Sequence, residues 1–306
     1  MMATAPSGEG RIGWYEASAR ARIEALLDPG SFAELLGPEQ REMSPHLSLF
    51  DLPRQFDDGV VVGRGQLDGR PVLVAGQEGR FMGGAFGEVH AAKMLGVLRG
   101  AQVAQHDVIL ILDTGGVRLQ EANAGEVGVA EILRALIEAR VSGCQVVGLI
   151  GGRAGCFGGG ALIAAACSTL IASEHARIGV TGPEVIESHC GVEEFDSSDR
   201  ALVWRTTGGK HRYLMGSIDR LVDDTPAAFR RAAVWGLNRE TRLSLETLRR
   251  EHRRLEDRVQ RFGRDSDAYR IWEGLGLPAD CKVSELSTQE FLELVGHGSF
   301  RIDDAR

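Results

Sequence analysis

Cysteine is scarce in this chain, and its arrangement excludes two common uses of the residue. The five cysteines are odd in number, lie far apart and include no C-x-x-C pair; they are Cys144, Cys156, Cys167, Cys190 and Cys281. A disulfide framework is indicated by an even number of cysteines in a short secreted chain, and a zinc ribbon by closely spaced cysteine pairs. We therefore expect a reducing, cytoplasmic location, with neither a disulfide framework nor a zinc ribbon in this chain.

The chain also lacks an excess of positive charge. Its 306 residues include 35 Lys and Arg against 43 Asp and Glu, which gives a formal net charge of −8. Long-range attraction to nucleic acid or to an anionic membrane needs the opposite balance, so we expect neither as a partner. The first residues, with Glu9, Arg11 and Glu16, contain no apolar stretch of the kind found in a secretory signal.

Long apolar runs are rare. One segment, residues 154–173, carries no charge over twenty residues, which is long enough to span a bilayer. Four glycines interrupt it, at position 155 and at positions 158–160, and Ser168 and Thr169 follow. This content predicts a loop, a buried helix and a buried strand rather than a membrane span.

Several catalytic and nucleotide-binding motifs are absent. Gly209-Lys210 is followed by His211, so there is no G-x-x-x-x-G-K-[ST] loop, and no strand-to-helix turn carries G-x-G-x-x-G. G-x-S-x-G and H-E-x-x-H are also missing. The chemistry is therefore not expected to use a side-chain nucleophile, and we interpret Cys156, within a glycine turn, as a small buried residue.

Glycine, in contrast, is abundant. The chain has 40 glycines in 306 residues, and this share is nearly twice the usual one of about 7%. Many of them follow apolar runs. We predict buried strands at 108–112, 146–150 and 169–172, with helices at 121–140 and 161–167 between them. The first two strands end in Gly115-Gly116 and in the glycine-rich run 151–160. Strand, glycine turn and helix in repetition predict an α/β fold with right-handed parallel crossovers.

Three regions follow from the change of pattern along the chain, and we expect them to form one structural domain. Residues 1–50 read as an N-terminal helical arm. Residues 51–224 form the core, which opens with a hairpin turning at 68–70. Residues 225–306 are a helical region with a long, charged helix from 225 to about 264, interpreted as a solvated surface helix in preference to a partner-binding one.

The two glycine turns suggest a chemical role. Glycine at the end of a buried strand lets the backbone approach a ligand, and the first amides of the following helix lack partners. Two such turns on neighbouring strands can form an oxyanion hole, which stabilises a developing enolate. Decarboxylation of a malonyl thioester is the simplest such reaction, because the departing CO₂ leaves its electron pair and only one proton must be returned. Alternatively, the glycines only permit close packing of helix on strand.

Four ordered blocks resemble the carboxyltransferase branch of the crotonase superfamily. They are residues 81–84, 113–121, 151–160 and 176–187. In this order they are similar to blocks of the carboxyltransferase beta subunit of bacterial acetyl-CoA carboxylase, over roughly residues 55–225. The resemblance implies a crotonase-like spiral of ββα units with a parallel sheet, here with an N-terminal helical arm and long C-terminal helices.

The sequence differs from the acetyl-CoA carboxylase beta subunit in two ways, and these differences indicate a more specific family. The chain has no cysteine before Cys144, so the zinc ribbon of that beta subunit is missing. Residues 26–32, Leu-Leu-Asp-Pro-Gly-Ser-Phe, look like the start of other carboxyltransferases. Residues 191–196 and 199–211 are similar to the beta-subunit family of biotin-independent malonate decarboxylases.

This resemblance implies a set of partners. A beta subunit pairs with a homologous gamma subunit, and the pair decarboxylates malonyl-S-acyl carrier protein to acetyl-S-acyl carrier protein and CO₂. The carrier, or delta subunit, bears a phosphoribosyl dephospho-coenzyme A, and an alpha subunit exchanges acetyl for malonyl. No biotin, metal or other cofactor is implied for this chain. Two alternatives are a carboxyltransferase half of a biotin-dependent acyl-CoA carboxylase and a non-catalytic scaffold half of the pair.

The resemblance also places the candidate site. The first half of the hole lies at Gly115-Gly116-Val117, with the amide of Gly116 or Val117 as donor. The second half lies at Gly155-Cys156 if the carboxyltransferase pattern is aligned, and at Gly158 if the crotonase pattern is aligned.

Other charged residues of these blocks have different expected roles. Arg118, Glu121 and Glu187 are interpreted as structural, with Glu121 in the first turn of its own helix. Arg153 or Lys210 is the candidate contact for the phosphates of the carrier arm, against a simple surface role.

Overall fold

The structure, a computed structural model, describes residues 13–37, 39–40, 42–51, 59–265, 267–279 and 281–296. The first twelve residues of the predicted arm and the last ten of the helical region lie outside these ranges. The strands are β1 Ala33–Glu34, β2 Val60–Leu67, β3 Arg70–Gln77, β4 Asp107–Leu112, β5 Val146–Ile150, β6 Cys156–Phe157, β7 Thr169–Ser173, β8 Ile178–Gly179 and β9 Arg220–Val222. The helices are α1 Ala19–Leu26, α2 Glu88–Ala104, α3 Ala124–Val141, α4 Gly159–Ala166, α5 Pro183–Cys190, α6 Arg200–Thr207, α7 Gly209–Leu214, α8 Pro226–Leu237, α9 Leu245–Phe262, α10 Ala268–Gly274 and α11 Thr288–Gly296.

A seven-stranded sheet in the order β1-β2-β3-β4-β5-β7-β9 forms the centre of the fold. The strands β1, β2 and β3 pair antiparallel, and from β3 onward each pairing is parallel. The predicted hairpin joins β2 to β3 through Asp68 and Gly69, which both have positive φ, as the tight turns that match strand twist require. The predicted buried strands are present as β4, β5 and β7, and every residue in them is buried.

Helices cover both faces of this sheet because side chains alternate along the buried strands. Leu110 of β4 packs with α2, α3 and α4 on one face. Its neighbours Ile109 and Ile111 pack with α1 and α8 on the other face.

A third cluster joins α7 and β9 to α10 and α11. Within it, burial lowers the pKa of His211 to about 3, and His211 accepts a hydrogen bond from Trp272.

The helical region differs from the prediction at one point. The helix expected from 225 to about 264 is two helices, α8 and α9, because the chain is not helical between Leu237 and Leu245. Ser244 then starts α9 with a capping box to Thr247. The surface character of α9 agrees with the prediction, since Leu248 and Val259 of its apolar stripe are more than half exposed.

The uncharged segment 154–173 folds inside the domain. It is divided into β6, α4 and β7, so the predicted helix and strand are present. The strand β7 is buried throughout, whereas α4 is buried on one side only and exposes Leu162. Across the part of the chain that the structure describes, no helix combines the length and apolar character needed to cross a membrane.

Candidate functional site

The two predicted glycine turns lie next to each other at the carboxyl ends of β4 and β5. We call residues 113–118 the first loop and residues 151–158 the second loop. The Thr114 amide donates to the Gly155 carbonyl at 2.8 Å, and the Phe157 amide donates to the Thr114 carbonyl at 2.9 Å. The loops therefore run parallel, as a continuation of the sheet edge where α/β proteins bind their ligands.

Each loop contains a glycine with an unusual backbone conformation, and these two glycines face each other. Gly116 has φ +136° and Gly158 has φ +58°, conformations that residues with a Cβ rarely adopt. A Cβ built on Gly158 would lie 3.2 Å from the Cα of Gly116. The absence of a side chain at Gly158 is thus what leaves room for the first loop at this point.

In the first loop, one amide is left without an acceptor. The Gly115 amide donates to the Gly83 carbonyl at 2.8 Å, and the Gly116 amide donates to Thr114 Oγ1 at 3.1 Å. The Val117 amide donates to no acceptor within the described residues. Of the two donors predicted for this loop, Val117 is therefore the available one.

In the second loop, too, hydrogen bonds distinguish the candidate amide donors from one another. The Gly155 amide donates to the Gly152 carbonyl at 3.3 Å, and the Cys156 amide donates to the Arg177 carbonyl at 2.8 Å. The Gly158 amide has no acceptor in the described part of the chain, and Gly158 is the N-cap of α4. The sequence left Gly155-Cys156 and Gly158 as alternatives, and the hydrogen bonds favour Gly158.

Val117 and Gly158 thus offer one available amide donor from each of the two neighbouring loops. The amide of Gly158 also lies at the positive end of the α4 dipole. Donors that are fixed before the reaction stabilise a developing negative charge without a reorganisation cost. This arrangement can bind the oxygen of an enolate or of a polarised carbonyl.

A buried ion pair involves Arg118, the last residue of the first loop. Arg118 Nη1 lies 3.0 Å from Glu121 Oε1, and both side chains are fully buried. The other carboxylate oxygen of Glu121 accepts from the amide of Glu88 at 2.6 Å. The prediction that Glu121 lies in the first turn of its own helix was wrong, because α3 starts only at Ala124 and the Glu121 carboxylate instead caps α2.

His90 belongs to the same buried cluster. Its Nδ1 lies 3.4 Å from Arg118 Nη2, and its Nε2 lies 3.2 Å from the side-chain amide nitrogen of Gln77. Burial, together with the charges of Arg118 and Lys93, lowers the pKa of His90 well below its usual range. The ring is therefore neutral at pH 7.

Asp113, the first residue of the first loop, ties the two loops to α1. Its Oδ2 accepts from Arg22 Nη1 of α1 at 2.8 Å, and its Oδ1 accepts from the Ala154 amide of the second loop at 2.7 Å. Burial raises the pKa of Asp113, and the Arg22 guanidinium opposes that shift. Neither residue is predicted from the sequence as part of the site, although an Asp between a buried strand and Gly-Gly is a visible signal.

The predicted substrate contacts Arg153 and Lys210 lie in different environments. Arg153 projects from the second loop and is 54% exposed. Lys210 is buried, and its amine pairs with Glu174 at 3.0 Å and donates to the Leu286 carbonyl. The proposed contact of Lys210 with carrier phosphates therefore lacks structural support, because its charge is neutralised inside the protein.

Glu187 lies in α5, outside the first and second loops. Its Oε2 accepts from the amide and the hydroxyl of Ser197 at 2.7 and 2.6 Å. These bonds lower the pKa of Glu187. The contacts agree with the structural role expected for this residue.

Cys156 is buried, and burial raises the pKa of its thiol well above the usual value. We therefore predict that a thiol reagent applied to the native protein at pH 7 modifies the exposed Cys190 and leaves Cys156 unmodified. Peptide mass spectrometry of the labelled protein measures both sites. Labelling after unfolding in urea provides the control, and native modification of Cys156 as fast as that of Cys190 would contradict the prediction.

Comparisons with known proteins agree with this geometry. The model of the carboxyl transferase domain family matches residues 16–229. The malonyl-S-ACP:biotin-protein carboxyltransferase MADC of Malonomonas rubra is 37% identical over 301 residues, which cover 91% of this chain and 94% of that protein.

Two solved structures are also similar. A chain of the Pseudomonas malonate decarboxylase hetero-tetramer in complex with malonate superposes with a TM-score of 0.77 at 40% identity, over 85% of this chain and 95% of that chain. A chain of the Pseudomonas malonate decarboxylase MdcD-MdcE hetero-dimer gives a TM-score of 0.66 at 36% identity, over 82% and 96% of the two chains. These neighbours confirm the predicted crotonase-like α/β fold.

Proposed function

The chain belongs to the carboxyl transferase domain family, and from this membership we propose that it is one half of a two-subunit malonyl-thioester decarboxylase. Its substrate is malonyl-S-acyl carrier protein, and its products are acetyl-S-acyl carrier protein and CO₂. The observation that carries the proposal is the pair of available amides at Val117 and Gly158. The likeness to chains of Pseudomonas malonate decarboxylase assemblies supports the choice of substrate.

In the proposed reaction, the thioester carbonyl oxygen accepts hydrogen bonds from Val117 and Gly158. The bond between the α carbon and the carboxylate breaks, CO₂ leaves, and the electron pair moves onto the carbonyl oxygen as an enolate. Both hydrogen bonds strengthen as the negative charge develops, which lowers the barrier. A proton then returns to the α carbon and gives the acetyl thioester.

The neighbouring side chains act by positioning. The Thr114 hydroxyl accepts from the Gly116 amide and donates to the Gly116 carbonyl, so it fixes the turn that presents Val117. Asp113 holds the second loop through Ala154. Neither side chain supplies a nucleophile, in agreement with a reaction that needs only a hole and a proton.

We further propose a homologous gamma subunit as the partner across the site. Large apolar side chains are exposed on the segments that follow both loops; they are Leu119, Val127, Leu162, Val180 and Val185. A partner packed against them would exclude water from the hole, which strengthens its hydrogen bonds. The proposed carrier is a delta acyl carrier protein that bears the phosphoribosyl dephospho-coenzyme A, and an alpha subunit reloads it with malonyl.

A second candidate function is carboxyl transfer from malonyl-S-acyl carrier protein to a biotin protein. The name and 37% identity of the Malonomonas rubra relative favour it. The enolate step at Val117 and Gly158 is the same in both reactions. They differ in the fate of the carboxyl group, which is released as CO₂ in the first and is captured by biotin in the second.

Release of CO₂ from malonyl carrier protein tests these proposals. We expect the chain and its gamma partner together to release CO₂ in the presence of avidin, and either chain alone to release none. Release that avidin abolishes would establish the biotin-dependent reaction instead. Full release by the partner alone would show that this chain is a scaffold.

A further inference from the structure

A small cavity opens beside the two loops, on the side of the sheet that carries α1. Its volume is about 200 Å³, and its polar border consists of Tyr15, Arg22, Glu78, Arg80, Asp113 and Arg153. Arg22 and Asp113 neutralise each other in their buried ion pair. The charges left at the border are those of Glu78 and two arginines.

The two arginines converge on one residue from different loops. Arg80 follows β3, and its Nη2 donates to the backbone carbonyl of Glu16 at 2.7 Å. Arg153 belongs to the second loop, and its Nη1 lies 3.5 Å from Glu16 Oε2. The Arg153 and Glu16 side chains are 54% and 55% exposed. An ion pair this long and exposed contributes little stability, so breaking it to bind another anion would cost little free energy.

Glu78 does not oppose an anion as strongly as its position suggests. Its Oε1 accepts from the Arg80 amide at 3.2 Å, and its Oε2 accepts from the Ala19 amide at 3.0 Å. Both oxygens are therefore bound to backbone donors that offset their charge. This leaves the Glu16 carboxylate as the group that faces the Arg153 guanidinium.

We propose that this cavity binds a phosphate or pyrophosphate group between Arg80 and Arg153, and that this group competes with the Glu16 carboxylate for the Arg153 guanidinium. Guanidinium groups are well suited to phosphate oxygens because they donate several hydrogen bonds in a fixed plane. A volume of about 200 Å³ is small for an organic cofactor and suits a compact anion.

The identity of the bound group rests on the proposed function. Asp113 at the cavity border precedes Gly116 by three residues, and Arg153 precedes Gly158 by five. Five residues span at most about 18 Å of extended chain, so the cavity and the hole lie within reach of one flexible thioester arm. The phosphate group is then part of the prosthetic group on the carrier.

Calorimetric titration of the full chain with pyrophosphate tests the anion site without reference to the reaction. We expect Glu16→Gln to bind pyrophosphate about threefold to fivefold more tightly than the parent chain, because the competing carboxylate is gone. The double variant Arg80→Gln, Arg153→Gln should show no measurable binding. Glu138→Gln, which removes a carboxylate from an exposed pair with Arg134 on α3, should leave the affinity unchanged.

The proposal is overturned if Glu16→Gln binds no more tightly than the parent chain, or if the double arginine variant keeps the parent affinity. A kinetic comparison with the gamma partner present then separates this proposal from the proposed function. Glu16→Gln should lower KM for malonyl carrier protein and leave KM for malonyl-N-acetylcysteamine, which has no phosphate, unchanged. Failure to decarboxylate either thioester would reject the proposed function, and the pyrophosphate result would still decide the anion site.

Discussion

Replacement of Gly158 by alanine is expected to lower kcat for malonyl-thioester decarboxylation by about 100-fold to 1,000-fold, the usual effect of losing one oxyanion donor. The new Cβ would lie 3.2 Å from the Gly116 Cα, and φ of +58° is unfavourable for alanine. The second loop must therefore shift, and the Gly158 amide moves away from the amide of Val117. Steady-state CO₂ release by the reconstituted pair measures the effect.

Gly96→Ala is the matched control for this experiment. Gly96 lies on the exposed side of α2, and a Cβ built there meets nothing within 4 Å. Alanine in a helix interior is more favourable than glycine, so kcat should be unchanged and stability should not fall. If Gly158→Ala keeps parental kcat while circular dichroism shows a native fold, Gly158 is not an oxyanion donor.

Gly155 is a poor position for the same experiment, although the sequence analysis included it as a candidate donor. A Cβ there would lie 2.8 Å from the Phe157 ring and 3.0 Å from the Arg177 carbonyl. A substitution would disturb the packing of the loop, so lost activity would not separate a catalytic role from a structural one. The choice of Gly158 follows from what surrounds each glycine.

The sequence predicted the strands of the sheet well, and the two glycine turns that it indicated lie next to each other in the structure. Strands such as β4 and β5 are uninterrupted apolar runs that end in glycine, and this pattern is local. Which backbone amides remain available as donors depends on contacts between residues that are distant in the sequence. The Cys156 amide is occupied by the carbonyl of Arg177, which is 21 positions away in the chain, and no spacing rule indicates which backbone groups will pair across loops.

The partners of charged residues could not be predicted from the sequence either. The Arg22–Asp113 pair joins residues 91 positions apart, and the Lys210 amine donates to the Leu286 carbonyl, which is 76 positions away. Glu121 caps α2 rather than α3 because the chain folds back between the two helices. In each case the charge was visible in the sequence, but its partner was set by tertiary packing.

Replacement of Asp113 by alanine is expected to destabilise the protein by about 3–5 kcal/mol, the usual cost of leaving one charge of a buried ion pair without its partner. The Arg22 and Asp113 side chains are 2% and 3% exposed, so water cannot solvate the remaining guanidinium. Urea unfolding followed by circular dichroism measures the change. Glu131→Ala, which breaks exposed pairs with Arg134 and Arg99, should change stability little.

Asp113→Asn separates the charge of Asp113 from its contact with the second loop. The asparagine oxygen can still accept from the Ala154 amide, while the ion pair with Arg22 is lost. If Asp113 positions the second loop, Asp113→Asn will keep more of kcat than Asp113→Ala at a temperature where both variants are folded. Equal kcat for the two variants would show that the carboxylate stabilises the fold and does not position Gly158, since the contact with Ala154 would then make no difference to the reaction.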